Sequence, residues 1–239
     1  MSEGRFVVTG ATSGIGLAIA RQLLEQGRQV ICCGRSLTKI ETMLTTHPES
    51  CFGVELDYLR PETIANVERA VVRLGGVNGL VHAAGCIVHQ RLVDLTEEAL
   101  GQQMTVNLLG PIRLTKSIWP HVQDGASILF LSSTLQKRPI PTSSVYTTTK
   151  GGLDSFMRAV AIEGASRQIT SNSLVLGMVD TPMIAVERPS AESHEQFANV
   201  HLLNRIGSTA EVAKTAIHVL SSSWVTGAEI AVDGGLLLK

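Results

Sequence analysis

The chain has little of what binding to nucleic acids or membranes requires. Its 239 residues carry a formal net charge of −1, and aromatic residues make up only 4% of them. A nearly neutral chain has no strongly basic surface for phosphate backbones or anionic lipids, and few aromatic rings are available to stack on bases. No apolar run reaches the roughly 18 residues that a membrane-spanning helix needs. We therefore expect neither nucleic acid nor membrane as a partner.

Cysteine is also scarce, and its placement argues against the usual metal sites. Cys32 and Cys33 are adjacent within an apolar run, while Cys51 and Cys86 are isolated. None of these spacings matches a metal-ligand motif, and such thiols are typical of a reducing compartment. The first residues also lack the charged region followed by a long apolar region that marks a secretory signal. The sequence thus predicts no metal and a cytoplasmic protein.

Short β-rich runs alternate with segments of helical periodicity along the whole chain. Apolar residues make up 44% of the sequence, enough for one well-buried core. Strands that alternate with helices form a parallel sheet covered on both faces. We therefore predict a single α/β domain over residues 1–239, with a Rossmann-type doubly wound sheet. The predicted strands are residues 6–9, 29–33, 50–56, 79–82, 127–131, 170–176 and 229–232. The predicted helices are residues 15–25, 38–44, 61–74, 96–109, 111–121, 147–165 and 209–220.

Three glycines lie between the first predicted strand and the first predicted helix. Glycines here allow a tight turn and let backbone N–H groups approach a pyrophosphate at the N-terminus of the helix. The spacing Gly-x-x-x-Gly-x-Gly differs from the common Gly-x-Gly-x-x-Gly, but the strand–turn–helix context favours a dinucleotide site. The predicted phosphate-binding residues are Gly10, Thr12, Ser13, Gly14, Ile15 and Gly16.

The end of the second predicted strand indicates which nicotinamide cofactor is bound. An acidic residue here bonds the ribose 2′-hydroxyl of NAD, whereas an arginine accommodates the 2′-phosphate of NADP. The strand ends in Gly34, Arg35 and Ser36, without a carboxylate. The guanidinium of Arg35 and the hydroxyl of Ser36 suit a phosphate. The sequence therefore favours NADP(H) over NAD(H).

Tyr146 and Lys150 lie four residues apart at the start of a predicted helix. Positions i and i+4 share one side of a helix, so the phenol and the ammonium would lie together. A neighbouring cation lowers the pKa of a tyrosine, which would let Tyr146 exchange a proton near neutral pH. Such pairs are also common on ordinary surface helices, so this one gains weight only from the rest of the chain.

Taken together, these motifs resemble those of the short-chain dehydrogenase/reductase family, in its single-domain form, over almost the whole chain. The glycine loop matches that of the family, and Ser133 precedes Tyr146 by thirteen residues, the usual family spacing. The other matching positions are Asp57, residues 82–85, Asn107, Asn172, Gly177, Thr181 and residues 232–235. The order of these motifs along the chain carries the resemblance, because any one of them could occur by chance.

The resemblance implies a catalytic tetrad of Asn107, Ser133, Tyr146 and Lys150. Ser133 would hold the substrate oxygen, and Tyr146 would transfer the proton. Lys150 would lower the pKa of the tyrosine and bind the nicotinamide ribose, while Asn107 would hold a water that links Lys150 to solvent. The further cofactor contacts that the resemblance implies come from Asp57, Ala83, Ala84, Gly85, Tyr146, Lys150, Gly177, Val179 and Thr181.

Two segments depart from the family pattern. His82 and Ala83 stand where the family often has two asparagines, so side-chain hydrogen bonds that brace this strand are lost. We expect His82 to support the strand rather than to act in catalysis. Leu176 replaces the usual proline before Gly177, and it either loosens the loop beside the nicotinamide or lines the pocket.

The substrate wall is expected from segments that follow the strand ends. These segments are residues 86–88, 134–136, 140–143, Met178 and an insertion at 182–205. The insertion contains the apolar residues Met183, Ile184, Val186, Phe197 and Val200. We predict that it forms a lid over a moderately apolar pocket, the alternative being a surface helix pair with one side on the core.

The leading hypothesis is an NADP(H)-dependent oxidoreductase that interconverts a ketone and a secondary alcohol. The most populous similar enzymes, the β-ketoacyl-acyl-carrier-protein reductases, bind an acidic carrier through basic residues. Arg167 matches one such position, but Asp124 occupies the other, and Lys137 and Arg138 are the remaining candidates. A carrier-bound substrate and a free small molecule therefore stay open.

Two other functions remain as alternatives. One is an NAD-dependent alcohol or sugar dehydrogenase, and the other is a cofactor-binding sensor or scaffold without turnover. Retention of both Tyr146 and Lys150 argues against the second. The resemblance also implies a homodimer or homotetramer.

Overall fold

Seven parallel strands form one sheet at the centre of the protein. This computed structural model describes residues 4–185 and 191–239. The strands are β1 (Arg5–Thr9), β2 (Gln29–Gly34), β3 (Cys51–Glu55), β4 (Val77–His82), β5 (Val122–Ser133), β6 (Thr170–Leu176) and β7 (Glu229–Val232). Their order across the sheet is β3-β2-β1-β4-β5-β6-β7. The predicted Rossmann-type sheet is confirmed.

Helices follow the strands and cover both faces of the sheet. They are α1 (Gly14–Glu25), α2 (Glu41–Thr46), α3 (Ile64–Arg73), α4 (Glu97–Met104), α5 (Gly110–Ile118), α6 (Ser144–Gly164), α7 (Pro182–Ala185), α8 (Ala191–Asn199) and α9 (Thr209–Leu220). Apolar residues of α1, α2 and α9 pack with one face of the strands, and those of α3, α5 and α6 with the other. Because successive strand residues point to opposite faces, Val7 and Val8 belong to different cores.

Most elements lie where the periodicity of the sequence predicts them, and two regions differ most. The strand predicted at 127–131 is longer and spans Val122–Ser133. The strand at 170–176, the strand at 229–232 and the helix at 209–220 have the predicted bounds. The two helices predicted at 96–109 and 111–121 are instead one continuous run, in which α4 and α5 are joined by a π-helical turn, Thr105–Leu109. Pro111 is the second residue of α5, directly after the π-helical turn, and it does not separate the two segments.

The sheet places a crevice at the carboxyl ends of β1 and β4. β1 and β4 are neighbours in the sheet. The strands β2 and β3 continue it on the β1 side, whereas β5 to β7 continue it on the β4 side. Ligands of open α/β sheets bind at such a switch point. Within the described residues, no helix is both long and apolar enough to cross a membrane.

Candidate active site

The loop after β1 is shaped by backbone contacts that exclude side chains. Gly10 has a φ of +66°, and a Cβ on it would lie 2.9 Å from the backbone N and Cα of Ala84. A Cβ on Gly16 would overlap the carbonyl group of Gly10. Glycine alone fits both positions, because one needs a left-handed conformation and both need close approach of main chain. The result is an open helix N-terminus with room for a phosphate group.

A cleft of about 230 Å³ runs from this loop along the strand ends. The predicted cofactor residues that line it are Gly10, Thr12, Ser13, Gly14, Ile15, Gly16, Arg35, Asp57, Ala83, Ala84, Gly85 and Thr181. Arg35 is exposed, and within the described residues no hydrogen bond or ion pair engages its guanidinium. Asp57 accepts the N–H of Leu59 at 3.0 Å, which fixes its carboxylate at the cleft wall. Ser36 does not line the cleft, and its hydroxyl lies 2.8 Å from that of Thr38.

Thr9 braces the turn where the family often has asparagines. Its hydroxyl oxygen accepts the N–H groups of Ala83 and Ala84 at 3.0 and 3.1 Å, and its proton goes to the carbonyl of Val81 at 3.3 Å. The neighbouring strand β1 therefore supplies hydrogen bonds in place of those that the two missing asparagines would make.

His82 lies in the core rather than at the site. It is 2% exposed, its Nε2 lies 2.9 Å from the hydroxyl of Thr115, and its ring stacks on Phe130 at 4.7 Å. Burial lowers the pKa of His82 to about 3, so the ring is neutral at ordinary pH. These contacts agree with the expected supporting role.

Tyr146 and Lys150 lie one turn apart on α6, on the side that faces the sheet. The Lys150 side chain is buried, and its ammonium donates to the carbonyl of Leu131 at 2.8 Å and lies 5.5 Å from the centroid of the Tyr146 ring. Burial lowers the pKa of Lys150 to about 8, and the charges of Asp154 and Cys86 oppose this change. The buried surroundings of Lys150 therefore bring the pKa of its ammonium group close to ordinary pH.

Asp154 is the next residue on this buried face, one turn beyond Lys150. It is 1% exposed, and it accepts the hydroxyl proton of Ser132 at 2.6 Å. Burial raises the pKa of Asp154, an effect opposed by the hydroxyls of Ser132 and Ser173 and by Lys150, and increased by Glu229. The carboxyl group of Asp154 thus lies one turn beyond Lys150, and each of the two groups shifts the pKa of the other.

The two adjacent serines at the end of β5 have different partners. Ser132 donates its proton to Asp154, so its hydroxyl is already used. Ser133 accepts the N–H of Leu135 at 3.2 Å, and within the described residues its own proton has no acceptor. Ser133 is therefore the serine that is free to donate to a ligand, as the spacing to Tyr146 predicts.

Asn107 lies in the π-helical turn and holds the loop after β4. Its side-chain oxygen accepts the N–H of Cys86 at 2.9 Å, while its amide nitrogen donates to the Cys86 carbonyl at 2.8 Å. The same nitrogen lies 3.3 Å from the hydroxyl of Thr149. The side chain is thus committed to bracing the loop, and a water-holding role would fall to the backbone of Asn107.

A second cavity, of about 470 Å³, opens beside Tyr146. Its catalytic and cofactor candidates are Ile15, Ser133, Tyr146, Gly177, Val179 and Thr181. Its apolar wall comes from Ile87, Leu135, Pro139, Ile140, Pro141, Leu176, Met178, Met183, Ile184, Val200 and Leu236. Ile15, Thr181 and Met183 line both this cavity and the cofactor cleft, so the two join at these residues.

Part of the predicted lid lies in the described structure. Met183, Ile184 and Val200 line the second cavity, whereas Phe197 does not. Val186 lies outside the described residues. Leu176, which replaces the family's proline, is among the residues that line the cavity.

The basic residues considered for carrier docking are engaged within the chain. Arg167 pairs with Asp124 at 2.8 Å and also donates to the carbonyls of Val122 and Trp119. Lys137 pairs with Glu229 at 2.8 Å. Arg138 donates to the carbonyl of Leu236 at 3.0 Å.

Sequence reasoning did not identify Thr9 or Asp154, which support the site, nor His201, whose ring accepts the N–H of the cavity residue Met178 at 3.1 Å. Asp154 could have been found, because an acidic residue on the apolar side of a predicted helix is unusual. Thr9 and His201 contact segments far away in the chain, and no local pattern indicates this. Among the described residues, no group of His, Cys, Asp and Glu is arranged to hold a metal ion.

Comparisons with known proteins agree over nearly the whole chain. A family model described as enoyl-(acyl carrier protein) reductase matches residues 10–237. The chain is 30% identical to versicolorin reductase 1 of Aspergillus parasiticus, over 96% of this chain and 94% of that protein. It is 32% identical to the 3-oxoacyl-[acyl-carrier-protein] reductase of Homo sapiens, over 97% of both chains.

Solved structures show the same architecture. A short-chain dehydrogenase/reductase from Brucella melitensis, described as a glucose/ribitol dehydrogenase, superimposes with a TM-score of 0.92 at 26% identity, over 99% of this chain and 97% of that one. A blue fluorescent protein from a metagenomic library, in complex with NADPH, superimposes with a TM-score of 0.89 at 26% identity, over 98% and 97% of the two chains.

Proposed function

The chain belongs to the short-chain dehydrogenase/reductase family of nicotinamide-dependent oxidoreductases, and we propose that it is an NADP(H)-dependent reductase of ketones. The observation that carries the proposal is the shared cavity of Ser133 and Tyr146, with the buried ammonium of Lys150 behind the tyrosine ring. A hydrogen-bond donor and a proton donor then face one substrate oxygen.

The cofactor cleft fits a dinucleotide. Gly10 and Gly16 let the main chain pack too closely for any Cβ, and the loop that they shape lines the cleft at the N-terminus of α1, where a pyrophosphate is favoured. Asp57 and Gly85 line the cleft beyond the loop and would contact the rest of the cofactor. When bound, the cofactor supplies the hydride.

Preference for NADP(H) rests on Arg35. Its guanidinium, directly after β2, lines the cleft and has no hydrogen bond or ion pair among the described residues, so it suits a 2′-phosphate, which accepts charge-assisted hydrogen bonds. The NADPH complex of a structurally similar protein supports this choice. Thr181, where the cleft meets the second cavity, would hold the nicotinamide end.

The residues of the tetrad would share the chemistry at the carbonyl group. Ser133 donates a hydrogen bond to the ketone oxygen and stabilises the negative charge that develops there. Tyr146 gives its hydroxyl proton to that oxygen, which yields the secondary alcohol. The ammonium of Lys150 stabilises the tyrosinate that remains until solvent restores the proton.

The substrate is proposed to be a free ketone with an apolar body. The described wall of the second cavity is mainly aliphatic, and the lid residues Met183 and Ile184 extend it. A carrier-bound substrate is less well supported, because Arg167 is already paired with Asp124 and would need to break that pair to bind an acidic carrier.

We also propose that the protein is a homo-oligomer with the insertion at 182–205 as its lid. Large apolar side chains remain exposed on this single chain, among them Leu92, Val93, Ile162 and Trp224, which is 97% exposed. Exposed apolar residues of this size are typical of protein–protein contacts.

The test is the exchange of Tyr146 for phenylalanine, with NADPH consumption followed in the presence of phenanthrenequinone, acetoacetyl-CoA or acetoacetyl-acyl carrier protein. Tyr146→Phe should lower kcat by at least about 100-fold, the usual contribution of a general acid, while the Kd for NADPH stays within about twofold. Turnover that survives this exchange would refute the assigned role. Reduction of the carrier-bound substrate alone would refute the free-ketone proposal.

A further inference from the structure

His201 joins the insertion to the loop after β6. It lies in the turn that follows α8 and is 1% exposed. Its Nδ1 is 3.0 Å from the carbonyl oxygen of Phe197, and its Nε2 is 3.1 Å from the backbone nitrogen of Met178. The ring is the only side chain among the described residues that hydrogen-bonds to the Met178 N–H.

These two contacts determine the tautomer of the ring. A carbonyl oxygen can only accept, so Nδ1 carries the proton and donates to Phe197. A backbone N–H can only donate, so Nε2 is unprotonated and accepts from Met178. Both ring nitrogens are therefore used, and the imidazole is a neutral bridge between two distant segments.

The loop that His201 holds forms part of the site. Gly177, Met178 and Val179 all line the substrate cavity, but His201 does not. The ring packs against the loop closely, since a Cβ on Gly177 would lie 3.0 Å from Nε2 and a Cβ on Gly234 would lie 3.4 Å from the ring. His201 can act on a substrate only through this loop.

The rest of the loop is anchored on other sides. Gly177 donates to the carbonyl of Val232 at 3.1 Å, and the Met178 carbonyl accepts the N–H of Gly207 at 3.0 Å. Leu176 precedes the loop, so no proline ring fixes the backbone there. The hydrogen bond from the Met178 N–H to His201 joins the loop to the far end of the insertion, after α8.

We propose that His201 is a positioning residue that holds Met178 against the substrate and couples the cavity wall to the insertion. This inference rests on the proposed ketone reduction. Its physical basis is that the backbone places a side chain that lines a cavity, and loss of one backbone hydrogen bond lets the backbone depart from that position.

The test compares two substitutions of His201, each of which keeps only one of the two hydrogen bonds of the ring. In His201→Gln the side-chain oxygen reaches the place of Nε2 and can accept from Met178. In His201→Asn the shorter amide occupies the place of Nδ1 and can donate to Phe197 but not reach Met178. Each variant keeps one hydrogen bond, so a loss of stability alone should affect the two equally.

We expect the Asn variant to raise KM for phenanthrenequinone about tenfold, with kcat and the Kd for NADPH changed by less than about threefold, because one hydrogen bond is worth roughly that factor. The Gln variant should stay within about threefold of the wild type in all three. Hydrogen exchange of the Met178 amide should be faster in the Asn variant only. Equal KM values in the two variants, or equal protection of Met178, would overturn the proposal.

The two proposals fail in different ways. If the wild-type protein reduces none of the ketones, the proposed function fails. The exchange rates of Met178 then still decide whether His201 anchors the loop, because they need no turnover.

Discussion

The cofactor cleft and the substrate cavity meet at Thr181, but main chain shapes one of them and side chains shape the other. The cleft is formed at the phosphate end by main chain, where Gly10 and Gly16 approach other backbone atoms too closely for a side chain. The cavity is formed by aliphatic side chains from segments as distant as Ile87 and Leu236. One region depends on backbone geometry and the other on side-chain shape, so they should respond differently to small substitutions.

Gly16→Ala should have the largest effect, because it changes the region that depends on backbone geometry. The new methyl group would overlap the carbonyl of Gly10, and the loop or α1 would have to move to relieve this contact. We expect the affinity for NADPH, measured by fluorescence titration, to fall at least about 100-fold, a loss of roughly 3 kcal/mol.

Gly101→Ala is the matched control. Gly101 is also helical, but nothing lies within 4 Å of a Cβ placed on it. This substitution should leave NADPH binding unchanged and stabilise α4 by up to about 1 kcal/mol. If the Gly16 variant bound NADPH as the wild type does, the backbone would not be the determinant of this region.

The contrast between the two regions also explains how much the sequence could predict. The glycine loop and the pairing of Tyr146 with Lys150 are local, because each falls within one strand–turn–helix unit or one helix turn. Their spacing therefore predicts their geometry. The seven strands and their parallel direction follow in the same way from strands that alternate with helices, whereas their order across the sheet comes from the structure.

What the sequence could not predict depends on contacts between distant segments. Thr9 braces residues more than seventy positions away, and His201 reaches back to Met178. The pairing of Arg167 with Asp124 is of the same kind, since the residues are 43 positions apart. The sequence points to neither Thr9 nor His201, and although it singles out Arg167, it does not indicate that Asp124 is its partner.

Arg35→Ser tests the one position of the cleft where a side chain, and not the backbone, should select the ligand. Loss of charge-assisted hydrogen bonds to a 2′-phosphate should lower kcat/KM for NADPH by about 10- to 100-fold and leave that for NADH nearly unchanged. Lys39→Ser, an exposed cation outside the cleft, serves as the control. Equal losses with both cofactors would remove the basis for NADP(H) preference.

Asp154→Asn tests the buried face of α6, one turn beyond Lys150. The carboxylate raises the pKa of Lys150, so its removal should move that pKa further below the wild-type value of about 8. Reduction needs the ammonium form, and the alkaline limb of kcat/KM should therefore move to lower pH. We expect a loss of about three- to tenfold near pH 8, with little change near pH 6.

Ser132→Ala separates charge from hydrogen bonding in this test. It removes the hydroxyl bonded to Asp154 but leaves the carboxylate, whereas an asparagine at 154 can still accept from Ser132. The serine variant should keep its alkaline limb near that of the wild type. A similar displacement in both variants would assign the effect to geometry and not to charge.

Ile140→Ala should have the smallest effect and would sharpen the contrast with Gly16. Ile140 lines the substrate cavity, but 44% of its side chain is already exposed, so its removal gives up only part of its apolar contact. We expect kcat/KM for phenanthrenequinone to fall by about threefold, near 0.7 kcal/mol, with no change in the Kd for NADPH. Val72→Ala, at an exposed position of α3 that lines neither the cavity nor the cleft, should change neither quantity. Loss of three carbons from the substrate wall would then matter less than the gain of one carbon at Gly16, because neighbouring side chains can fill a gap whereas the backbone of the phosphate loop cannot move aside. A 100-fold loss in the Ile140 variant would show that the cavity is as rigid as the cleft.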